Sequence, residues 1–165
     1  MKGKYLLPAI CMSIIIFIIG CKHTESAPID ETPPFDMVAA KTAIQTQGLA
    51  FAAALNKGDA MAVSDCYTSD AKLMQPNGES VEGRENIRQL FSEWMKNGVP
   101  AFSIKTIEVW GDENQLTAEE EWKFTDKDGK IVDKGKALEL YKMEDGKWKL
   151  YRDCYNSDMP PHGSK

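Results

Sequence analysis

From Phe102 to the end of the domain the chain is built from four long extended segments parted by short polar turns, and no helical period runs through any of them. The segments are Phe102–Trp110, Leu116–Thr125, Ile131–Met143 and the stretch Gly146–Asp158. The turns are Gly111-Asp112-Glu113-Asn114, Asp126–Lys130 and Glu144-Asp145-Gly146. Connections this short make neighbours antiparallel, so this half of the chain is a four-stranded meander. The second segment alternates cleanly. Leu116, Ala118, Trp122 and Phe124 share one face, while Thr117, Glu119, Glu121 and Lys123 share the other. In the first, the apolar face switches between Ile104 and Ile107, which predicts a bulge near Lys105. In the last, aromatics and charges alternate so that neither face is purely apolar. Such a strand belongs in the middle of a sheet and lines something.

The preceding part is helical. Asp36 is a good N-cap for a helix carrying Val38, Ala39, Thr42, Gln45, Leu49, Ala52 and Leu55, and Gly58 stops it. Asp59 caps a short helix over Ala60–Tyr67. Ala71–Met74 is a short strand, Pro76-Asn77-Gly78 a turn, and Ser80–Glu82 a brief returning arm. Gly83 opens a third helix with Ile87, Leu90, Phe91, Trp94 and Met95, and Gly98 and Pro100 end it. The predicted fold is α+β: three N-terminal helices packed in a strongly curved antiparallel sheet.

Residues 1–20 stand apart. Lys2 and Lys4 precede an apolar run from Leu6 to Ile19 that is too short for a comfortable membrane span. Ile18-Ile19-Gly20-Cys21 ends it and resembles a bacterial lipobox, which implies cleavage before Cys21 and lipidation of its thiol and new amine. Several acyl chains on Cys21 give stable membrane anchoring, whereas one does not. The expected organisation is a lipoprotein signal over 1–20, a flexible tether over 21–35, a domain over 36–158 and a tail over 159–165. The expected address is the cell envelope, at the outer membrane or the periplasmic face. Loss of the leader takes the formal charge from −5 to −7, and an acidic domain repels phosphate backbones, which argues against nucleic acid. Cys66 and Cys154 remain beyond Cys21; two buried free thiols are expected, with a disulfide as the other option. His23 and His162 are the only histidines and lie in the tails, so the domain has no histidine triad and no His-rich metal site. No cofactor motif is present.

Four segments, Ala54-Leu55-Asn56-Lys57-Gly58-Asp59, Tyr67-Thr68-Ser69-Asp70-Ala71, Gln75-Pro76-Asn77-Gly78 and Gly83-Arg84-Glu85-Asn86-Ile87, resemble the nuclear transport factor 2-like superfamily. More narrowly they are similar to its SnoaL-like and ketosteroid-isomerase-like bacterial members. The resemblance implies a cone, with a curved sheet around the long helix, an apolar pocket at the wide end, and frequent dimerisation through the sheet. It also maps the isomerase machinery. Gln75 stands where the general-base Asp is expected, and an amide cannot take a proton from carbon. Phe51 stands where the oxyanion Tyr is expected and Phe91 at one supporting tyrosine. Tyr67 matches the other supporting tyrosine, and Glu139 matches the protonated oxyanion Asp. Steroid-type isomerisation is therefore disfavoured.

Glu139 and Asp153 remain as the acid–base candidates, because two carboxyls facing one apolar cavity cannot both ionise cheaply. Asp153 paired to Arg84, Arg88 or Arg152 is the structural alternative. Apolar alternation puts Trp148, Leu150, Arg152, Cys154 and Asn156 on one face of the last strand. The resemblance instead turns Tyr151, Asp153 and Tyr155 to the pocket. Tyr67, Gln75, Trp94, Trp122, Glu139, Tyr141, Asp153 and Tyr155 are the expected lining, with no metal and no cofactor. Three functions follow: a lipoprotein domain that binds a small, partly apolar molecule or a partner protein; a SnoaL-like enzyme of isomerase, cyclase or dehydratase type that works through a pocket carboxyl; or a dimerising structural module of an envelope complex.

Overall fold

A computed structural model describes residues 34–160. The leader, Cys21, nearly all of the tether and most of the tail lie outside the described residues. Helix α1 spans Met37–Lys57. Asp36 caps it by accepting from the Val38 and Ala39 N–H groups at 2.9 and 3.0 Å, and Gly58 closes it with φ 70°. The buried face differs from the one expected. Ala40, Ile44, Gly48, Ala52 and Leu55 face the sheet, while Val38 and Leu49 are exposed. The reason is steric. A helix laid in a curved sheet approaches it closely, so small residues make the contact, and a Cβ on Gly48 would already touch Ile104 at 3.4 Å. Small residues therefore share the inner stripe with Ile44 and Leu55, and Val38 and Leu49 do not mark it.

Helix α2 is shorter than expected, Ala60–Asp65. Tyr67 is the first residue of β1 (Tyr67–Met74) rather than the last of a helix. Strand β2 is Val81–Glu82 and α3 is Arg84–Met95. The meander follows as β3 (Ala101–Gly111), β4 (Leu116–Thr125), β5 (Ile131–Glu144) and β6 (Lys147–Ser157). Asp145 and Gly146, at φ 54° and 72°, form the two-residue turn between the last two strands. Positive φ at both centres matches the twist of a hairpin.

The six strands form one curved, unclosed sheet in the order β2-β1-β6-β5-β4-β3, with the helices packed on it. Every neighbouring pair is antiparallel except β1 and β6, which run parallel. β6 thus lies inside the sheet, as its mixed faces implied. Its facing is resolved by a bulge. Leu140 pairs with Arg152 and Tyr141 with Leu150, which leaves Tyr151 as the extra residue. Before it, Trp148 and Leu150 point into the core; after it, Asp153 and Tyr155 do. Both readings of this strand hold, each on its own side of Tyr151, and Tyr151 itself does not line the pocket. The β3 bulge falls at Ile107, two residues beyond the predicted place, because Thr106 keeps the inward parity of Phe102 and Ile104.

Candidate functional site

The register of the inner sheet face builds the site. Ala118 on β4 pairs with Glu139 on β5, and Glu139 pairs with Asp153 on β6. The two carboxyls therefore stand side by side on the concave face, 5% and 6% exposed. Each has a tyrosine behind it. The Tyr67 hydroxyl donates to Asp153 Oδ2 at 2.6 Å, and the Tyr141 hydroxyl donates to Glu139 Oε2. Tyr67 is itself anchored from α3: Arg84 Nε donates to the Tyr67 carbonyl at 2.8 Å, while its guanidinium pairs with Glu144. Glu144 also accepts from the Ser69 N–H and hydroxyl at 2.9 and 3.0 Å. These bonds pull its carboxyl down to about 2, against the opposing effect of desolvation.

In front of the carboxyls lies a half-open cavity of about 80 Å³. Its floor is Leu73, Ala137, Glu139 and Asp153. Its walls are aromatic: Phe51 from α1, Phe91 and Trp94 from α3, Phe102 from β3, Trp122 and Phe124 from β4, and Tyr155 from β6. The rings meet edge to face, with Trp94–Phe124 centroids at 5.5 Å and Trp122–Tyr155 at 5.9 Å. Pockets for drug-sized ligands run to several hundred Å³, so this one suits a small guest.

Burial sets the protonation. It pushes Asp153 up to about 6, with the Tyr67 hydrogen bond pulling back. Burial, with the charge of Asp153 added, holds Glu139 well above the usual carboxylate range, opposed by its Tyr141 bond. Both carboxyls therefore keep their protons to higher pH than exposed ones do, and the Asp153 charge adds to that effect at Glu139.

Of the residues expected at the site, Trp94, Trp122, Glu139, Asp153 and Tyr155 line the cavity. Tyr67 and Tyr141 stand one layer back, behind the carboxyls. Gln75 does not take part. It lies in the turn after β1 and donates to the Glu79 carbonyl at 3.3 Å, because the β1–β2 hairpin is at the sheet edge. Asp153 is not paired with an arginine. Arg84 goes to Glu144, Arg88 to Glu85, and Arg152 to the Asp70 and Tyr151 carbonyls. Both cysteines are free, but only Cys66 is buried; the bulge parity puts Cys154 on the outer face, exposed.

Sequence reasoning passed over Glu120. It is fully buried, accepts from Thr106 Oγ1 at 3.0 Å through Oε1, and leaves Oε2 without a partner. Burial pushes it up to about 7. The signal was present: Glu120 is the one charged residue in the inward series Leu116, Ala118, Glu120, Trp122, Phe124. Among the described residues no three His, Cys, Asp or Glu side chains gather as a metal site.

A curved, unclosed sheet with helices packed on it, and a cavity walled by aromatics and floored by carboxyls, is a fold of the nuclear transport factor 2-like kind. Residues 49–151 match the model of the SnoaL-like domain, and the protein belongs to that family. Its fold recurs in solved structures. A ketosteroid isomerase-like protein from Erwinia carotovora atroseptica superposes with TM-score 0.61 at 21% identity, over 72% of this chain and 96% of that one. A domain of unknown function with a cystatin-like fold from Nostoc punctiforme gives 0.68 at 12% identity, over 76% and 82%. An NTF-2 like protein of unknown function from Shewanella oneidensis gives 0.62 at 16% identity, over 70% and 98%. At these identities the likeness is one of fold. Among curated proteins, none matches the chain.

Proposed function

We propose that the domain binds a small, partly apolar molecule in the aromatic cavity, oriented by Glu139 and Asp153. One observation carries this reading: each carboxyl spends one oxygen on a tyrosine and is left with a second that no other protein group engages, on the floor of an apolar cavity. Convergent polar groups in an aromatic pocket are the usual make-up of a ligand site. A fragment screen by protein-observed NMR tests it. Small cyclic alcohols, ketones, acids and amines should shift the Trp122 indole N–H resonance. A screen in which no fragment moves that signal removes the reading.

Two adjacent buried carboxyls on one cavity floor, both with raised proton affinity, favour a second reading, proton transfer on the bound molecule, with Asp153 as base and Glu139 as acid. Exchange of the α-protons of small cyclic ketones in D2O checks it. Exchange should exceed that in buffer and fall at least tenfold in Asp153→Asn.

The lipobox-like ending at Cys21 supports placing this domain at a membrane surface, through an anchor rather than a span. No described helix is long and apolar enough to cross a membrane. The outer sheet face, where Trp110 and Leu138 are 41% and 52% exposed, supports contact with a partner or a second copy. Sedimentation of the full chain in detergent reads that directly.

A further inference from the structure

We infer that the molecule held by this pocket is a small organic cation, an amine or quaternary ammonium with a compact apolar body, seated between Glu139, Asp153 and the aromatic walls. The inference rests on the ligand-binding reading above and names the class of ligand.

The argument begins behind the carboxyls. Tyr67 and Tyr141 donate to them, and a donated hydrogen bond favours the carboxylate over the acid. Two donors are thus placed to stabilise negative charge on oxygens whose partners in the same carboxyl groups are without a protein hydrogen bond on the cavity floor. No lysine, arginine or histidine lines the cavity to balance that charge. The titratable groups facing the pair are Tyr67 from β1, Glu120 from β4, Tyr141 from β5 and Tyr155 from β6. α1, α3 and β3 contribute only Phe51, Leu55, Phe91, Trp94, Phe102 and Ile104. None of these groups is positive, so the neutralising charge has to arrive with the guest or with protons.

The walls select the guest. The faces of tryptophan, tyrosine and phenylalanine attract cations, more strongly where water is excluded. The two acidic side chains oppose a carboxylate guest, even though the Trp122 indole N–H is buried without a partner, and the rings hold no ligand set for a metal ion. A compact ammonium satisfies both halves of the cavity, its charge on the carboxyls and its apolar body on the rings.

Protons and ligand then compete. In the empty pocket burial and the Asp153 charge favour the acid form of Glu139, and a cation drawn onto the pair favours its ionised form, so binding releases protons. Isothermal titration calorimetry of the full-length chain in nonionic detergent tests this with four probes: cyclopentylammonium, tetramethylammonium, cyclopentanol and cyclopentanecarboxylate. Runs at pH 6.5 and 7.5, in buffers of different ionisation heat, count the protons. The expected result is cyclopentylammonium binding at least tenfold more tightly than cyclopentanol, with a net release of protons at pH 6.5, and no binding of the carboxylate. Tetramethylammonium should release protons as well, which excludes the probe's own titration as their source. Cyclopentanol binding as tightly as the ammonium, or ammonium binding without proton release, overturns the cation and leaves the ligand site standing. No binding by any probe overturns both.

Discussion

Gly135 on β5 lies directly beneath the indole of Trp122 on β4, its register partner, so closely that a Cβ at 135 would come within 2.6 Å of the ring at Cζ2. The same Cβ would strike the backbone carbonyl of Asn156 on the other side. The hydrogen atom at this one position lets Trp122, a wall of the cavity, close onto β5.

Gly135→Ala should therefore destabilise the fold by about 1–3 kcal/mol, the usual cost of overpacking where backbone has to move. Urea unfolding followed by tryptophan fluorescence reads the loss. An unchanged midpoint would show that the indole and the strand give way freely.

The raised carboxyls fix the sign of the pH dependence. Asp153 and Glu120, pushed up to about 6 and about 7, hold more protons folded than unfolded. Stability due to them is full below the ordinary carboxylate range and falls as pH rises through 6 and 7. Glu144, pulled down from 4.5 to about 2, acts the other way, and its contribution is lost as pH falls between those values. Unfolding midpoints should rise from pH 8 to about pH 5 and fall below pH 4. Glu120→Gln should remove part of that slope. At pH 8 the variant should be more stable than the parent by roughly 1–3 kcal/mol, since a buried carboxylate with a bare oxygen is replaced by a neutral group. Equal midpoints for the two proteins at pH 8 would contradict the burial of Glu120.

Tyr67→Phe removes the donor that favours ionised Asp153. The Asp153 carboxyl should then titrate higher than in the parent, by a full unit or more on the usual scale of a buried hydrogen bond. Carbon-detected NMR of labelled aspartate follows it. A shift toward lower pH would mean that Tyr67 is not the group that sets this carboxyl.

The two cysteines should react on separate timescales. Cys154 is exposed, while burial and the neighbouring Asp65 charge push the Cys66 thiol up to about 11. A brief iodoacetamide pulse under native conditions, mapped by mass spectrometry, should modify Cys154 and leave Cys66 intact until urea is added. A Cys66–Cys154 disulfide peptide would rule out the arrangement.

Much of this was legible in the chain. Asp36 and Gly58 bracket α1, Asp145-Gly146 marks the last hairpin, and the mixed faces of β6 announce an interior strand. What was hidden was hidden by parity. Thr106 donates to one oxygen of Glu120 on the inner face, so two inward positions read as polar, which displaced the predicted β3 bulge and masked a buried carboxyl. The inner stripe of α1 sets Ile44 and Leu55 among alanines and a glycine, whose signal is weak beside that of exposed Val38 and Leu49. The parallel pairing of β1 with β6 joins distant segments that no local pattern records.

Tyr151 has a meaning for how such a gene can change. The inward parity of β6 is even on one side of it and odd on the other. An in-frame loss of its single codon would let Arg152 follow Leu150 directly, which restores plain alternation with Trp148, Leu150, Asp153 and Tyr155 all still facing inward and their pairing with β5 kept. A three-nucleotide step at this position would straighten the strand and leave the acidic pocket floor in place. The bulge is therefore the place on β6 where such a gene can lose a codon without losing the site.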